Sequence, residues 1–115
     1  MQVYHRTTET AAAAILQEGF RDHTSHYGIG ELMTGVFVSN RPLDSNEGAR
    51  GDMLLTLDLP EYLFQEGEWV EEDKPYREAC LPADILNLYG PPRLVSEDEE
   101  ARIVYDLYHQ RNLPS

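Results

Sequence analysis

The order of hydrophobic and polar residues in the first part of the chain predicts a strand, a helix and a long loop. Gln2 to Thr7 contains the β-branched and aromatic residues typical of a short strand. Apolar residues then recur at helical spacing over Ala11 to Gln17, and Gly19 follows where a helix commonly ends. Arg21 to Met33 has few apolar residues. It is therefore predicted to be a loop that closes over a site.

The middle of the chain predicts further strands. Gly35 to Ser39 is a compact strand, and Leu43 to Ala49 fits a short helix. Aliphatic residues alternate with polar ones over Met53 to Leu59, which predicts a central strand with one buried face. Glu68 to Glu71 and Tyr76 to Leu81 then predict the two strands of a hairpin.

The last part of the chain predicts one helical turn and a closing helix. Pro82 to Leu86 fits the turn, and Gly90-Pro91-Pro92 is a rigid linker. Ser96, with Glu99 three residues later, forms a capping box at the start of the closing helix. That helix carries an apolar stripe predicted to pack on the domain, formed by Ile103, Val104, Leu107 and Tyr108. The whole pattern predicts a single α+β domain over residues 1–115.

Composition narrows the classes of function. The 115 residues include 9 Lys and Arg against 21 Asp and Glu, giving a formal charge of −12. That charge opposes tight binding to nucleic acid, whose affinity depends on basic residues that displace counterions, and it suits a basic protein partner. A lone cysteine, the absence of a signal-peptide pattern and the absence of a long apolar run predict a cytoplasmic protein without membrane contact.

Two residues stand out for chemistry before any family is considered. His5 lies at a strand end before a helix, where a ring nitrogen can be aimed at a ligand, although it also fits a partly exposed polar residue. Strand alternation places Glu78 on one face with Tyr76 and Cys80, where a carboxylate needs a partner or a ligand. A structural pairing of Glu78 with a nearby arginine fits equally well. No metal is predicted.

Four segments, taken in order, resemble the ADP-ribosyltransferase fold family. They are Tyr4-His5-Arg6-Thr7, Ile15 to Phe20, Gly35 to Ser39 and Met53 to Pro60. The resemblance is closest to the branch of diphtheria-like toxins, poly-ADP-ribose polymerases and RNA 2′-phosphotransferases, and it covers mainly the first half of the chain. It implies split antiparallel sheets with a few flanking helices, and a cleft that binds NAD as co-substrate.

The resemblance also implies roles for individual residues. His5 would hydrogen-bond the adenosine ribose, and the backbone of Arg6 would hold the nicotinamide amide. Thr7 would support the strand end, and Phe37 would pack on nicotinamide unless it is only a core residue. Glu78 would be the catalytic carboxylate, holding a ribose hydroxyl or orienting the nucleophile.

Ser39 and Arg41 complete the predicted cofactor-binding set, with Arg41 able to neutralise phosphate charge. Two departures from the family pattern stand against this set. Arg6 occupies a position where the family usually has glycine, although its guanidinium suits a diphosphate. A second tyrosine is expected about one helix after Phe37, where this chain has Asn46, Glu47 and Ala49.

Three hypotheses for function follow. The first is an enzyme that cleaves the nicotinamide–ribose bond of NAD and transfers ADP-ribose to an unknown acceptor. The second is a non-catalytic, acidic binding module of the same fold, for a protein or a nucleotide. The third is an RNA 2′-phosphotransferase, which the net charge of −12 disfavours because RNA phosphates need basic residues.

Overall fold

The computed structural model describes residues 1–27, 31–43, 51–69 and 74–112. Within these ranges the chain forms an α+β domain, as predicted from the sequence. The strands are β1 (Gln2–Thr7), β2 (His23–Tyr27), β3 (Glu31–Ser39), β4 (Met53–Asp58), β5 (Glu68–Trp69), β6 (Glu78–Leu81) and β7 (Arg93–Val95). The helices are α1 (Glu9–Glu18), α2 (Glu61–Gly67), α3 (Ala83–Tyr89) and α4 (Glu97–Asn112).

The sheet is antiparallel and narrows at its centre. Its strand order is β5-β6-β3-β1-β4-β7, and β2 pairs with β3 outside this path. All six residues of β1 are in register with β4. Between β1 and β3, by contrast, the one registered pair is Tyr4 with Ser39. The sheet therefore has two lobes, β5-β6-β3 and β1-β4-β7, which meet at this pair.

The main core lies between one face of the sheet and the helices α1, α2 and α3. It contains Val3, Val38 and Leu57 from the strands, together with Phe64 of α2 and Leu86 of α3. Burial of these side chains supplies the largest favourable contribution to folding. Val36 and Val38 of this cluster alternate along β3 with residues that point to the other face of the sheet.

A second cluster covers the opposite face of the β1-β4-β7 lobe. Tyr4, Leu54 and Val95 are buried there, and Ile103 of α4 packs against them. β4 is consequently buried on both faces, and the prediction of one buried face was wrong. The cause is non-local, because α4 supplies the second cover.

The apolar stripe predicted for the closing helix also needs correction. Ile103 and Leu107 are partly buried, whereas Val104 and Tyr108 are exposed. Only half of the stripe therefore packs on the domain. The capping box was placed correctly, since the Glu99 backbone N–H donates to Ser96 Oγ at 3.1 Å.

Other predictions fail for local reasons. The predicted loop over Arg21 to Met33 is mostly a hairpin, formed by β2 and the start of β3. Its strands carry polar residues at successive positions, and Leu32 is exposed, so no alternating pattern marked them. Neither α2 nor β7 was predicted. The predicted helix over Leu43 to Ala49 falls, from residue 44 onward, outside the described residues.

The turn after α1 sets the position of Phe20. Gly19 has φ of +91° and its N–H donates to the Ile15 carbonyl, which ends the helix. The side chain of Asn87 on α3 then accepts from the Phe20 N–H at 2.8 Å and donates to the Phe20 carbonyl at 3.0 Å. Both backbone groups of Phe20 are thereby satisfied, and its ring is held against the core.

Gly51 packs closely against the backbone at the end of β1, which leaves no space for a side chain. Its φ is +112°, and an added Cβ would lie 2.1 Å from the Thr7 carbonyl oxygen. We expect Gly51→Ala to lower the free energy of unfolding by about 2 kcal/mol or more, because both the conformation and the space oppose a side chain. Urea denaturation measures this. Asp52→Ala, at the exposed neighbouring position, should change the free energy of unfolding by less than about 0.5 kcal/mol. Equal losses of stability in the two variants would show that the close contact of Gly51 with Thr7 is not important for stability.

Candidate functional site

A cavity of about 520 Å³ opens between the end of β1, helix α1 and strand β3. Four of the predicted site residues line it: His5, Arg6, Thr7 and Phe37. Much of the remaining wall is apolar, from Ala11, Ala14, Ile15, Phe20 and Val36. Its volume falls in the range of about 300–1,000 Å³ that is usual for small-molecule sites. The polar lining side chains also include Thr8, Glu18, Arg21 and His23. A largely apolar wall with some polar groups is typical of such sites.

His5 is held across the junction of the two lobes. Its Nδ1 lies 2.7 Å from the carbonyl oxygen of Phe37. A carbonyl only accepts, so Nδ1 carries the proton. The imidazole edge packs on Phe20, with ring centroids 5.8 Å apart and planes at 79°. The ring is therefore fixed by one hydrogen bond and one aromatic contact.

The protonation state of His5 follows from this environment. Burial lowers the pKa of His5, and the hydrogen bond to the Phe37 carbonyl opposes this effect only in part. The imidazole is accordingly neutral near neutral pH, with Nε2 as the basic nitrogen. Nε2 makes no hydrogen bond to any residue in the described ranges. It can therefore accept a hydrogen bond from a ligand hydroxyl.

The Arg6 side chain is engaged away from a ligand. Its Nε donates to the Leu43 carbonyl, and its Nη2 donates to the carboxylate of Glu100 on α4. The side chain is 10% exposed. Breaking such a pair leaves a buried charge behind, at a cost of several kcal/mol. A diphosphate would have to displace these contacts, whereas the backbone of Arg6 already lies at the cavity edge.

Phe37 connects the cavity to the other lobe. Its carbonyl holds His5, while its ring meets Trp69 of β5 edge-on at 5.6 Å. Phe37 is in register with Cys80 of β6, and the ring is half-buried. Some of its surface thus remains accessible, which a residue that is purely core would not show.

Ser39 lies where the lobes meet and is buried. Its Oγ donates to the Arg41 carbonyl at 2.7 Å, with the Tyr4 carbonyl at 3.4 Å. A hydroxyl has one proton to donate, and the shorter distance indicates that it is donated to the Arg41 carbonyl. The hydroxyl of Ser39 therefore serves the backbone at the junction.

Glu78 occupies the neighbouring position on β6. It is 9% exposed and is in register with both Ser39 and Trp69. Lys74 Nζ lies 3.5 Å from its carboxylate, so a lysine is one charge partner of Glu78, and the arginine pairing considered from the sequence stays a prediction. Glu78 is not among the residues that line the cavity. The carboxylate is thus one strand away from Phe37, within the same β5-β6-β3 lobe.

Aromatic and basic side chains surround this carboxylate. The Tyr76 ring has the Arg41 guanidinium 5.3 Å from its centroid and the Lys74 ammonium 5.4 Å away. Such distances are within the range of cation–π contacts. We call Ser39, Arg41, Lys74, Tyr76 and Glu78 the carboxylate cluster. The sequence indicated Arg41, Ser39 and Glu78, whereas Lys74 and Tyr76 were treated only as parts of a hairpin.

An ion-pair network fixes the hairpin that carries Glu78. Arg77 Nε and Nη2 donate to the Glu68 carboxylate at 2.7 and 2.8 Å, and Nη1 donates to Glu61 of α2 at 3.0 Å. The Arg77 hydrogen bonds lower the pKa of Glu68 and those to Glu68 and Glu61 raise the pKa of Arg77. A fork-to-carboxylate pair is geometrically demanding. It therefore positions β5 and β6 relative to α2.

The predicted site residues thus form two adjoining groups. His5, Arg6, Thr7 and Phe37 border the cavity, and Ser39, Arg41 and Glu78 belong to the carboxylate cluster. Across the described ranges, no three His, Cys, Asp or Glu side chains are grouped to hold a metal ion. In the same part of the chain, no helix has both the length and the apolar composition needed to cross a bilayer.

The lowered pKa of His5 predicts a pH-dependent stability. The unfolded state binds the proton near pH 6.5, while the folded state binds it only at lower pH. The stability that neutral His5 contributes is hence present above about pH 6.5 and is lost as pH falls toward the folded pKa. His5→Asn keeps a donor for the Phe37 carbonyl but does not titrate. We expect the free energy of unfolding of His5→Asn to fall less than that of the wild type between about pH 7 and pH 5.

Urea denaturation at several pH values measures this difference. Exposed His109 on α4 provides the matched control. His109→Asn should keep the wild-type profile, and a His5→Asn profile parallel to that of the wild type would show that His5 does not titrate abnormally.

No family model, no curated protein and no solved structure matches this chain.

Proposed function

We propose that this protein binds NAD, cleaves the bond between nicotinamide and ribose, and transfers ADP-ribose to an acceptor. The observation that carries the proposal is the buried carboxylate of Glu78, one strand away from the Phe37 carbonyl that fixes His5. The segment order resembling ADP-ribosyltransferases supports the same conclusion. So does the narrow junction between β1 and β3, since split sheets are implied by that resemblance.

His5 and the backbone beside it suit the binding step. Nε2 of a neutral imidazole accepts a hydrogen bond from a ribose hydroxyl. Because the Arg6 side chain is turned toward Glu100 and Leu43, its backbone is the part left to hold the nicotinamide amide. The exposed part of the Phe37 ring offers a flat apolar surface for an aromatic base.

Glu78 suits the chemical step. As the glycosidic bond breaks, the electron pair leaves with neutral nicotinamide and positive charge develops on the ribose. A carboxylate in a water-poor site stabilises that charge more strongly than one in water does. It also accepts a hydrogen bond from a ribose hydroxyl, which orients the sugar. The acceptor nucleophile then forms the new bond to the anomeric carbon and loses its proton.

A non-catalytic nucleotide-binding module is the second candidate. One observation favours it: Glu78 does not line the cavity that His5 and Phe37 border. In this case the cavity holds the nucleotide, and Glu78 serves to balance Lys74 within the sheet. The two candidates share the binding step and differ in turnover alone.

NAD should stabilise the folded protein in a thermal melt. At a concentration about ten times Kd, a single site contributes about 1.4 kcal/mol, which corresponds to roughly 5 °C for a domain of this size. We expect His5→Ala to abolish this shift, because Nε2 and the ring are both lost, and His109→Ala to retain it. A lack of stabilisation of the wild type at millimolar NAD would contradict both candidates.

Glu78→Gln separates the two candidates. The amide keeps the shape of the side chain and removes its charge, so we expect NAD binding to persist while nicotinamide release falls by about 100-fold or more. Release is measured by chromatography after incubation with NAD. Glu66→Gln, at an exposed position of α2, should leave the rate unchanged. Intact NAD after prolonged incubation with the wild type would support the binding module instead.

A further inference from the structure

Helix α4 carries a second group of apolar side chains that is largely exposed to solvent. Its inner side carries Ile103 and Leu107, which are partly buried. Ala101, Val104, Tyr105 and Tyr108 follow a spacing of three, four and seven residues and so share one side of the helix. Val104 is 47% exposed, and Tyr105 and Tyr108 are 61% and 67% exposed. We call these four residues the outer stripe.

This arrangement is more specific than scattered surface hydrophobics. Single exposed apolar residues are common, but a contiguous patch usually marks an interaction surface. The outer stripe forms one shallow surface together with Glu97 and Glu100. The ring of Tyr105 is also supported by His109, with ring centroids 4.3 Å apart. Tyrosine that is ordered before binding contributes strongly to interfaces because little entropy is lost.

Charge determines what this surface accepts. All four residues of the first turn of α4 are acidic, and Glu97 and Glu100 lie at the end of the outer stripe. The helix dipole explains acids in the first turn, but it does not explain the exposed valine and tyrosines beside them. Two copies of this chain would bring their acidic first turns together at this surface and repel one another there. A basic partner is attracted at long range instead.

We propose that the outer stripe of α4 is a docking surface for a basic amphipathic segment of another protein. Apolar side chains of the partner contact Val104, Tyr105 and Tyr108. Its Lys or Arg residues lie over Glu97 and Asp98 at the helix start. This inference is independent of the proposed NAD chemistry, since the outer stripe and the cavity share no residue.

The test uses the full chain and a synthetic peptide of about four helical turns, with Leu and Trp on one face and Lys and Arg on the other. Calorimetric titration of the wild type should show saturable binding that weakens as salt is added. The double substitution Val104→Ser with Tyr105→Ser should weaken binding by at least about tenfold. Both positions are exposed, so folding should persist, and a thermal melt checks this.

Three controls give the test its specificity. Leu88→Ser, at an exposed position of α3, should leave peptide affinity unchanged. A peptide of the same composition in scrambled order has no apolar face and should bind at least about tenfold more weakly. Substituting Gln and Asn for Glu97 and Asp98 should reduce the salt dependence.

Several results would overturn the proposal. Equal affinity for the scrambled peptide would show attraction by charge alone. Unchanged binding by the Val104→Ser, Tyr105→Ser variant, or no binding by the wild type, would remove the outer stripe as the docking surface. A wild-type dimer in analytical ultracentrifugation that the same variant dissociates would assign the surface to a second copy.

Discussion

The narrow junction between β1 and β3 is the constraint on which the rest of the structure depends. Where two strands diverge, their backbone N–H and C=O groups lose ladder partners and must find others. Here the Ser39 hydroxyl donates to the Arg41 carbonyl, His5 Nδ1 donates to the Phe37 carbonyl, and the Asn40 N–H donates to the Arg77 carbonyl. Asn40 Oδ1 in turn accepts from the Arg77 N–H. Polar side chains are therefore concentrated at the junction for a structural reason that does not depend on a ligand.

This requirement separates the predicted site residues into two kinds. The hydroxyl of Ser39 and the guanidinium of Arg6 are committed to other protein groups, and a ligand would have to compete for them. His5 differs because only one ring nitrogen is needed to hold the junction. Nδ1 of His5 joins the two lobes by its hydrogen bond to the Phe37 carbonyl, and Nε2 can still accept a hydrogen bond from a ligand. That division makes His5 the strongest of the binding candidates, and it also explains why its ring is ordered before any ligand arrives.

The sequence predicted those features that depend on neighbouring residues. Residue types marked β1 and the second half of β3, alternation marked β4, and Ser96 with Glu99 marked the start of α4. It missed β2, whose strand faces are both polar, and α2, which starts at Pro60 without a side-chain cap. The sequence pattern could not predict contacts between distant residues. Arg6 pairs with Glu100, ninety-four positions later, and α4 packs over Leu54. In the candidate site the same limit applies, because residue types suggested Glu78 while its contact with Lys74 depends on the turn between them.

Net charge constrains large and small ligands differently. Exposed charges farther apart than about 8 Å are largely screened at physiological ionic strength, so most of the 21 carboxylates have little effect at any one site. A long polyanion contacts many such places at once and is repelled at most of them. A dinucleotide is small enough to meet only its immediate surroundings, and Arg6 and Arg21 are among the residues that line the cavity. The same charge of −12 that opposes RNA is therefore compatible with NAD, and it favours a basic protein segment, whose many cations meet the acidic surface together.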